Sequence, residues 1–369
     1  MTQLTHRERL NLALNFKETD RTPKDLGGTL STTMVPDTYR AMKKYLGMTG
    51  DAPLGWKRQH LVIPPEQMLQ HFDIDTRALL LGRYRGGRAR EINANEMIDI
   101  WGTLWKRSPE GQFLPFKEVL ADAEPTLETL ERFEMPDPLN PGYFEGLKER
   151  AEYLYTKTDY GIVLDMGIGI FTRSQFMRGF TPALLDMLQN PEFAAQLYRM
   201  LTDYWKKTAT HALQQVGHLV DVVFWGDDWG MQSSTMMNPI MWRRMIKPLL
   251  AEMTSTIREY SRAKVLVHSC GAIVPLIDDL IEIGVNALNP VQVTARDMNP
   301  ENLAEKFGGK IAFWGGIDTQ HLLPFEDPEA VQKAVRHTRK ILGPGYVLGS
   351  VHNLQAAVPP ENIEAMFTA

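Results

Sequence analysis

From about residue 145 onward, short apolar runs alternate with longer segments of helical periodicity. The runs are 161–166, 219–226, 264–268, 284–288, 310–315 and 345–349. Each is four to eight residues long and bounded by turn or helix signals, as a buried strand requires. Helical patterns occupy 181–188, 191–216, 239–262, 272–282, 300–307, 328–342 and 360–367. Asn190–Pro191, Asn238–Pro239, Asn299–Pro300 and Asp327–Pro328 each set a capping side chain before a proline at the first helical position. Pro248 falls inside the 239–262 pattern and predicts a kink or a split there. Strands alternating with helices imply parallel pairing. Six such units, with room for more before them, predict an α/β (β/α)8 barrel. An open doubly wound sheet is the alternative, but no G-x-G-x-x-G follows a strand to support a dinucleotide fold.

The first 145 residues are less regular. Residues 5–16 read as an amphipathic helix ending near Asp20–Pro23, and helical pieces are expected at 37–46 and 65–72. Gly27, Gly28, Ser31, Thr32 and Thr33 read either as a surface loop or as a pocket lining. The segment 72–82 reads as a turn into a strand, with Asp73, Asp75 and Arg77 on one face and suited to a salt bridge; 96–107 reads as paired strands rich in Trp. Four prolines make 124–142 a connecting stretch. Neither side of it looks self-sufficient, so residues 1–369 are read as one barrel domain with N-terminal helical and β covering segments.

Composition narrows the function. The chain is 43% hydrophobic and 23% charged, with a net charge of −5. Nothing here attracts a polyanion, so nucleic-acid binding is not expected. No apolar run reaches transmembrane length and the N-terminus lacks the core of a signal peptide. With a single cysteine, the expected compartment is the cytoplasm.

That cysteine, Cys270, ends the stretch KVLVHSCG. Residues two apart on a strand face the same way, so His268 and Cys270 can aim at one point, and imidazole and thiolate are both zinc ligands. An H-x-C pair supplies only two of the three or four ligands a zinc site needs, so spacing alone equally allows a buried cysteine beside an unrelated histidine. In a barrel the active site lies at the C-terminal strand ends. Gly169, Asp227, Asp228, Trp229, Gln292, Asp318 and His352 fall there. The aspartates can equally cap helices or form salt bridges, and His352 can be a hydrogen-bonded loop residue.

Over almost its whole length the chain resembles the uroporphyrinogen decarboxylase superfamily. The resemblance rests on DRTP (20–23), FDIDTR (72–77), RGF (178–180) with NPE (190–192), GDDWG (226–230), HSCG (268–271), LNPVQ (288–292), FWGGID (313–318) and HNLQ with VPPENI (352–363). It lies nearer the cobalamin-dependent methyltransferases than the decarboxylases. Decarboxylases place an arginine pair after DR-x-P for the substrate carboxylates, whereas residues 24–34 hold no arginine. The zinc methyltransferases use H-x-C and a later cysteine, and His352 stands near that third position. The resemblance therefore implies Zn2+ on His268, Cys270 and His352, and methyl transfer between a small methylated donor or acceptor and a corrinoid (methylcobamide) carried by a partner protein. It implies Asp227 and Asp228 as catalytic or ligand-orienting residues, Gly169, Asp75, Trp229, Gln292 and Asp318 as substrate contacts, and a homodimer. Its rivals are a metal-free decarboxylase-like lyase using Asp75 or Asp228 on a small carboxylate, and a non-catalytic barrel that binds a corrinoid or tetrapyrrole.

Overall fold

The structure is a computed structural model that describes residues 3–369. Seven parallel strands pair in one sheet, in the order Thr76–Leu80, Gly161–Ile168, Val222–Gly226, Lys264–His268, Ala287–Asn289, Ala312–Ile317 and Tyr346–Ser350. Each new strand joins the edge left by the one before it, so the sheet curls in one sense. A short stave closes it. The Asp25 N–H donates to the Leu348 carbonyl and the Leu348 N–H to Pro23, while the Asp75 N–H donates to Lys24. Residues 23–25 thus bond both edge strands and complete a (β/α)8 barrel.

Alternation along the strands sorts their side chains. Val163, Val222, Phe224, Leu266, Ala287, Ala312, Trp314 and Val347 form a separate buried cluster that fills the lumen, joined from below by Leu10 of the helix His6–Ala13 and by Leu14 just after it. Their neighbours, among them Ile162, Leu164, Val223, Val265, Val267 and Phe313, pack outward against the helices. Strands covered on both faces must be apolar throughout, which is why they read as continuous runs.

Six of the strands and most of the helices agree with the sequence reading. The 239–262 pattern divides into Pro239–Met245 and Lys247–Tyr260, as Pro248 requires. Asn238, Asn299 and Asp327 cap as expected. Asn190 does not; its amide donates to Asp186 instead. Five helices escape the pattern, three of them (Leu127–Glu131, Pro141–Phe144 and Leu322–Phe325) only four or five residues long. Leu147–Lys157 buries only Leu147 and Ala151, too few for a stripe, and Ile170–Arg178 buries Ser174, Gln175 and Arg178 among its apolar residues. Asp73, Asp75 and Arg77 do not share a strand face: the strand begins at Thr76, and Asp73 sits in a turn at φ 54°. Arg77 pairs with Glu66 rather than with either aspartate. The Gly27–Thr33 segment is buried, not a surface loop.

Two covering elements roof the C-terminal end of the barrel. One is the hairpin Leu54–Trp56 and Leu61–Val62; the other is a four-stranded antiparallel meander, Arg90–Asn93, Glu96–Ile98, Leu104–Arg107 and Phe113–Lys117. Among the described residues, no helix is long and apolar enough to cross a membrane.

Candidate metal centre

His268 is the last residue of its strand and continues the inward series of Leu266. Its ring is set by Asn289, the last residue of the neighbouring strand. The Asn289 amide nitrogen donates to the Trp314 carbonyl at 3.1 Å, which can only accept. The amide oxygen therefore faces His268 Nδ1, 2.5 Å away, and Nδ1 must carry the proton. The Nε2 lone pair is then free, and it points at Cys270 Sγ, 3.3 Å distant. His352 completes a group whose ligand atoms all lie within 4.8 Å of one another. Its ring meets that of His268 edge-on at 5.7 Å between centroids.

The electrostatics favour neutral groups until a cation arrives. Burial, with the charge of Asp228 behind it, pushes the Cys270 thiol well above its usual range. Burial and the nearby His268 push His352 down to about 4. An imidazole pair beside a thiol, with one tautomer locked by an outer hydrogen bond, is the donor chemistry of a zinc site.

The turn that carries Cys270 is tied on both sides. Asp228 Oδ1 accepts the Cys270 N–H at 2.8 Å and lies 3.6 Å from His268 Nε2. Gln292 Oε1 accepts the Gly271 N–H at 2.8 Å. Gly271 has a φ of 86°, and a Cβ there would meet the Gly230 backbone at 2.3 Å, so only glycine fits the crossing.

The remaining sequence candidates separate by position. Asp228 faces a cavity of about 270 Å³ that also receives His268 and His352. Asp227 turns the other way. It accepts the N–H groups of Phe171 and Thr172 at 3.1 and 2.6 Å, capping the helix Ile170–Arg178 from the next strand. Burial pushes its pKa up to about 7, against the pull of those donors. Gly169, the residue before that helix, has no side chain because a Cβ would lie 2.9 Å from the Asp227 carboxylate. Trp229 is sealed against Trp242, Gln292 supports the Cys270 turn, and Asp318 caps the segment after its own strand through three N–H groups. None of these four lines this cavity. Asp75 lies at the N-terminal end of its strand, at the opposite end of the barrel, bound to Arg9 and Arg21. Asp227→Ala would leave two N–H groups without their acceptor, a loss of about 1–3 kcal/mol, measurable by urea denaturation.

Residues not singled out from sequence build the rest. Asn289 orients His268. Asp165, held near pKa 6 by burial, accepts the Leu30 N–H and fixes the loop that brings Leu30 to the cavity together with Ser31, which the sequence offered as a pocket lining. The roof contributes Arg58, Gln59, Leu61, Trp105 and the start of the strand Phe113–Lys117. Alternation carried from Leu266 to His268 and on to the paired strand end would have found Asn289; no periodic signal marks the roof.

Among solved structures, a methyltransferase from Methanosarcina mazei matches with a TM-score of 0.66 at 15% identity, covering 99% of this chain and 98% of that one. A B12-independent methionine synthase from Shewanella sp. W3-18-1 matches with a TM-score of 0.42 at 11% identity, covering 82% of this chain and 84% of that one. No curated protein matches the sequence. The family model described as uroporphyrinogen decarboxylase (URO-D) matches residues 119–369, more than half of the sequence and every strand of the seven-stranded sheet but the first, and by that match the chain belongs to the uroporphyrinogen decarboxylase family.

Proposed function

We propose that this chain is a zinc-dependent methyltransferase that moves a methyl group between a small methylated substrate or acceptor and the corrinoid of a partner protein. The observation that carries the proposal is the Asn289-locked tautomer of His268, which aims a free Nε2 at Cys270 within reach of His352. A methyltransferase from Methanosarcina mazei sharing the fold over its full length supports the same reading. Zinc on His268, Cys270 and His352 would supply a Lewis acid that lowers the pKa of a thiol or hydroxyl at the methyl-bearing heteroatom.

The chain's own residues do the rest. Asn289 keeps His268 in the tautomer that leaves Nε2 free to ligate. Asp228 holds the Cys270 backbone in place and presents a carboxylate to the cavity, where it can accept a proton from a bound hydroxyl or thiol. Leu61, Trp105 and Phe113 from the covering elements wall the cavity from water. The lyase alternative loses Asp75, which cannot reach a substrate from the far end of the barrel.

The test is methyl transfer itself. Zinc-loaded protein, given methoxylated or N-methylated compounds and cob(I)alamin, should convert the cobalt species to methylcob(III)alamin, followed by absorbance. The reaction should stop in Cys270→Ala. Failure of the wild-type protein to bind zinc even from excess metal would sink the proposal.

A further inference from the structure

The arginines buried in this chain have carboxylate partners. Arg9 holds Asp20 and Asp75, Arg77 holds Glu66, and Arg178 holds Asp186. Arg58 is different. It sits in the turn of the roof hairpin, between Trp56 and Leu61, and lines the cavity with His268, His352 and Asp228. Its guanidinium lies 4.3 Å from the ring centroid of Trp105 and 4.9 Å from that of Phe176. Among the described residues it has no hydrogen-bonded or ion-paired acid. Burial and the charge of Arg173 push its pKa down to about 9, which still leaves it charged at neutral pH.

Trp105 and Phe176 meet each other edge-on at 5.0 Å, and a guanidinium packed against such a pair gains cation–π attraction but no hydrogen-bond acceptor for its N–H groups. Those N–H groups need an acceptor, because the guanidinium is half-buried and faces the cavity without an acid to pair with, and desolvating such a charge is costly. The fork geometry of guanidinium suits a carboxylate bidentately. Trp105, Phe113, Phe176 and Ile168 supply apolar wall for the body of the ligand. We infer that Arg58 is a specificity residue that binds a carboxylate on the substrate, so that the compound entering this cavity is a small, apolar-bodied carboxylic acid with its methyl-bearing group directed to the His268 centre. The inference deepens the methyl-transfer reading and rests on it for the second half. The arginine pair by which decarboxylases hold carboxylates belongs after DR-x-P, where this chain has none; Arg58 lies on the roof hairpin, outside the family match.

The test uses 4-methoxybenzoate and its neutral counterpart, 4-methoxybenzyl alcohol, titrated calorimetrically into the zinc-loaded and zinc-depleted protein. The wild type should prefer the carboxylate by about ten- to a hundredfold, the range of a charge-assisted hydrogen bond. Arg58→Met should abolish the preference while leaving zinc content unchanged, and Arg58→Lys should keep part of it. Equal binding of the two compounds by the wild type, absence of carboxylate binding at millimolar concentration, or a preference that survives Arg58→Met would overturn the inference. The wild-type comparison needs no variant, so a poorly folded Arg58→Met does not blunt it. An Arg58-dependent preference in a protein that binds no zinc would leave the carboxylate site standing while the methyl-transfer reading fell.

Discussion

Cys270→Ala should weaken zinc binding by a factor on the order of a hundred to a thousand. Structural zinc sites with four ligands bind with roughly 10–16 kcal/mol, or roughly 2.5–4 kcal/mol for each ligand, and each 1.4 kcal/mol is about tenfold. The thiol is the softest donor of the three, and the chain has no second cysteine to replace it. His352→Ala should lose a similar factor if His352 is the third ligand. Asn289→Leu, which keeps the volume but frees the His268 ring, should lose about ten- to a hundredfold, as outer-shell partners of ligating histidines do. Competition against a chelating dye measures all three. A Cys270→Ala protein with wild-type affinity would remove Cys270 from the metal centre and leave it a buried thiol.

The barrel was legible in the sequence because its strands are covered on both faces. Residues 265–267 and 312–317 are apolar without interruption, and no surface position dilutes either run. The eighth stave was not legible. Residues 23–25 make one hydrogen-bonded step on each side, too short for any periodicity. The helix Ile170–Arg178 was missed because it buries polar residues whose partners come from elsewhere: Arg178 bonds Asp186 and the Leu120 and Ala123 carbonyls.

The metal candidates emerged from spacing on one strand and from a family resemblance that pointed to His352. The substrate candidates did not hold together, and parity explains part of it. Gly226 pairs with His268, which points inward, so Asp228 faces in and Asp227 faces out. Treating the two aspartates as equivalent ignored that alternation. Arg58 was invisible for another reason: its importance lies in lacking a partner, and partners on the roof are decided by contacts far away in sequence.

Asp75→Ala should destabilise the fold by about 3–5 kcal/mol, the cost of removing one member of a buried ion network. Asp75 is fully buried and accepts from Arg9 at 2.6 Å, from Arg21 at 2.6 and 3.2 Å, and from the Lys24 N–H at 2.7 Å. It therefore ties the first helix, the DRTP turn and the closing stave to the start of the strand Thr76–Leu80. Without it Arg9 keeps only Asp20, and Arg21 is left with the exposed Asp73. Asp20 adds an acid sensitivity of its own. Its bond to Arg9 holds its carboxyl below the usual 3.8, so that contribution is complete above the unfolded value and is lost as pH falls below it. Urea unfolding at neutral pH should show the deficit of Asp75→Ala, while zinc affinity and carboxylate preference of the folded fraction stay at wild-type values, because the network lies at the other end of the barrel from His268. A variant of normal stability with lost ligand binding would return Asp75 to the substrate site and contradict its placement.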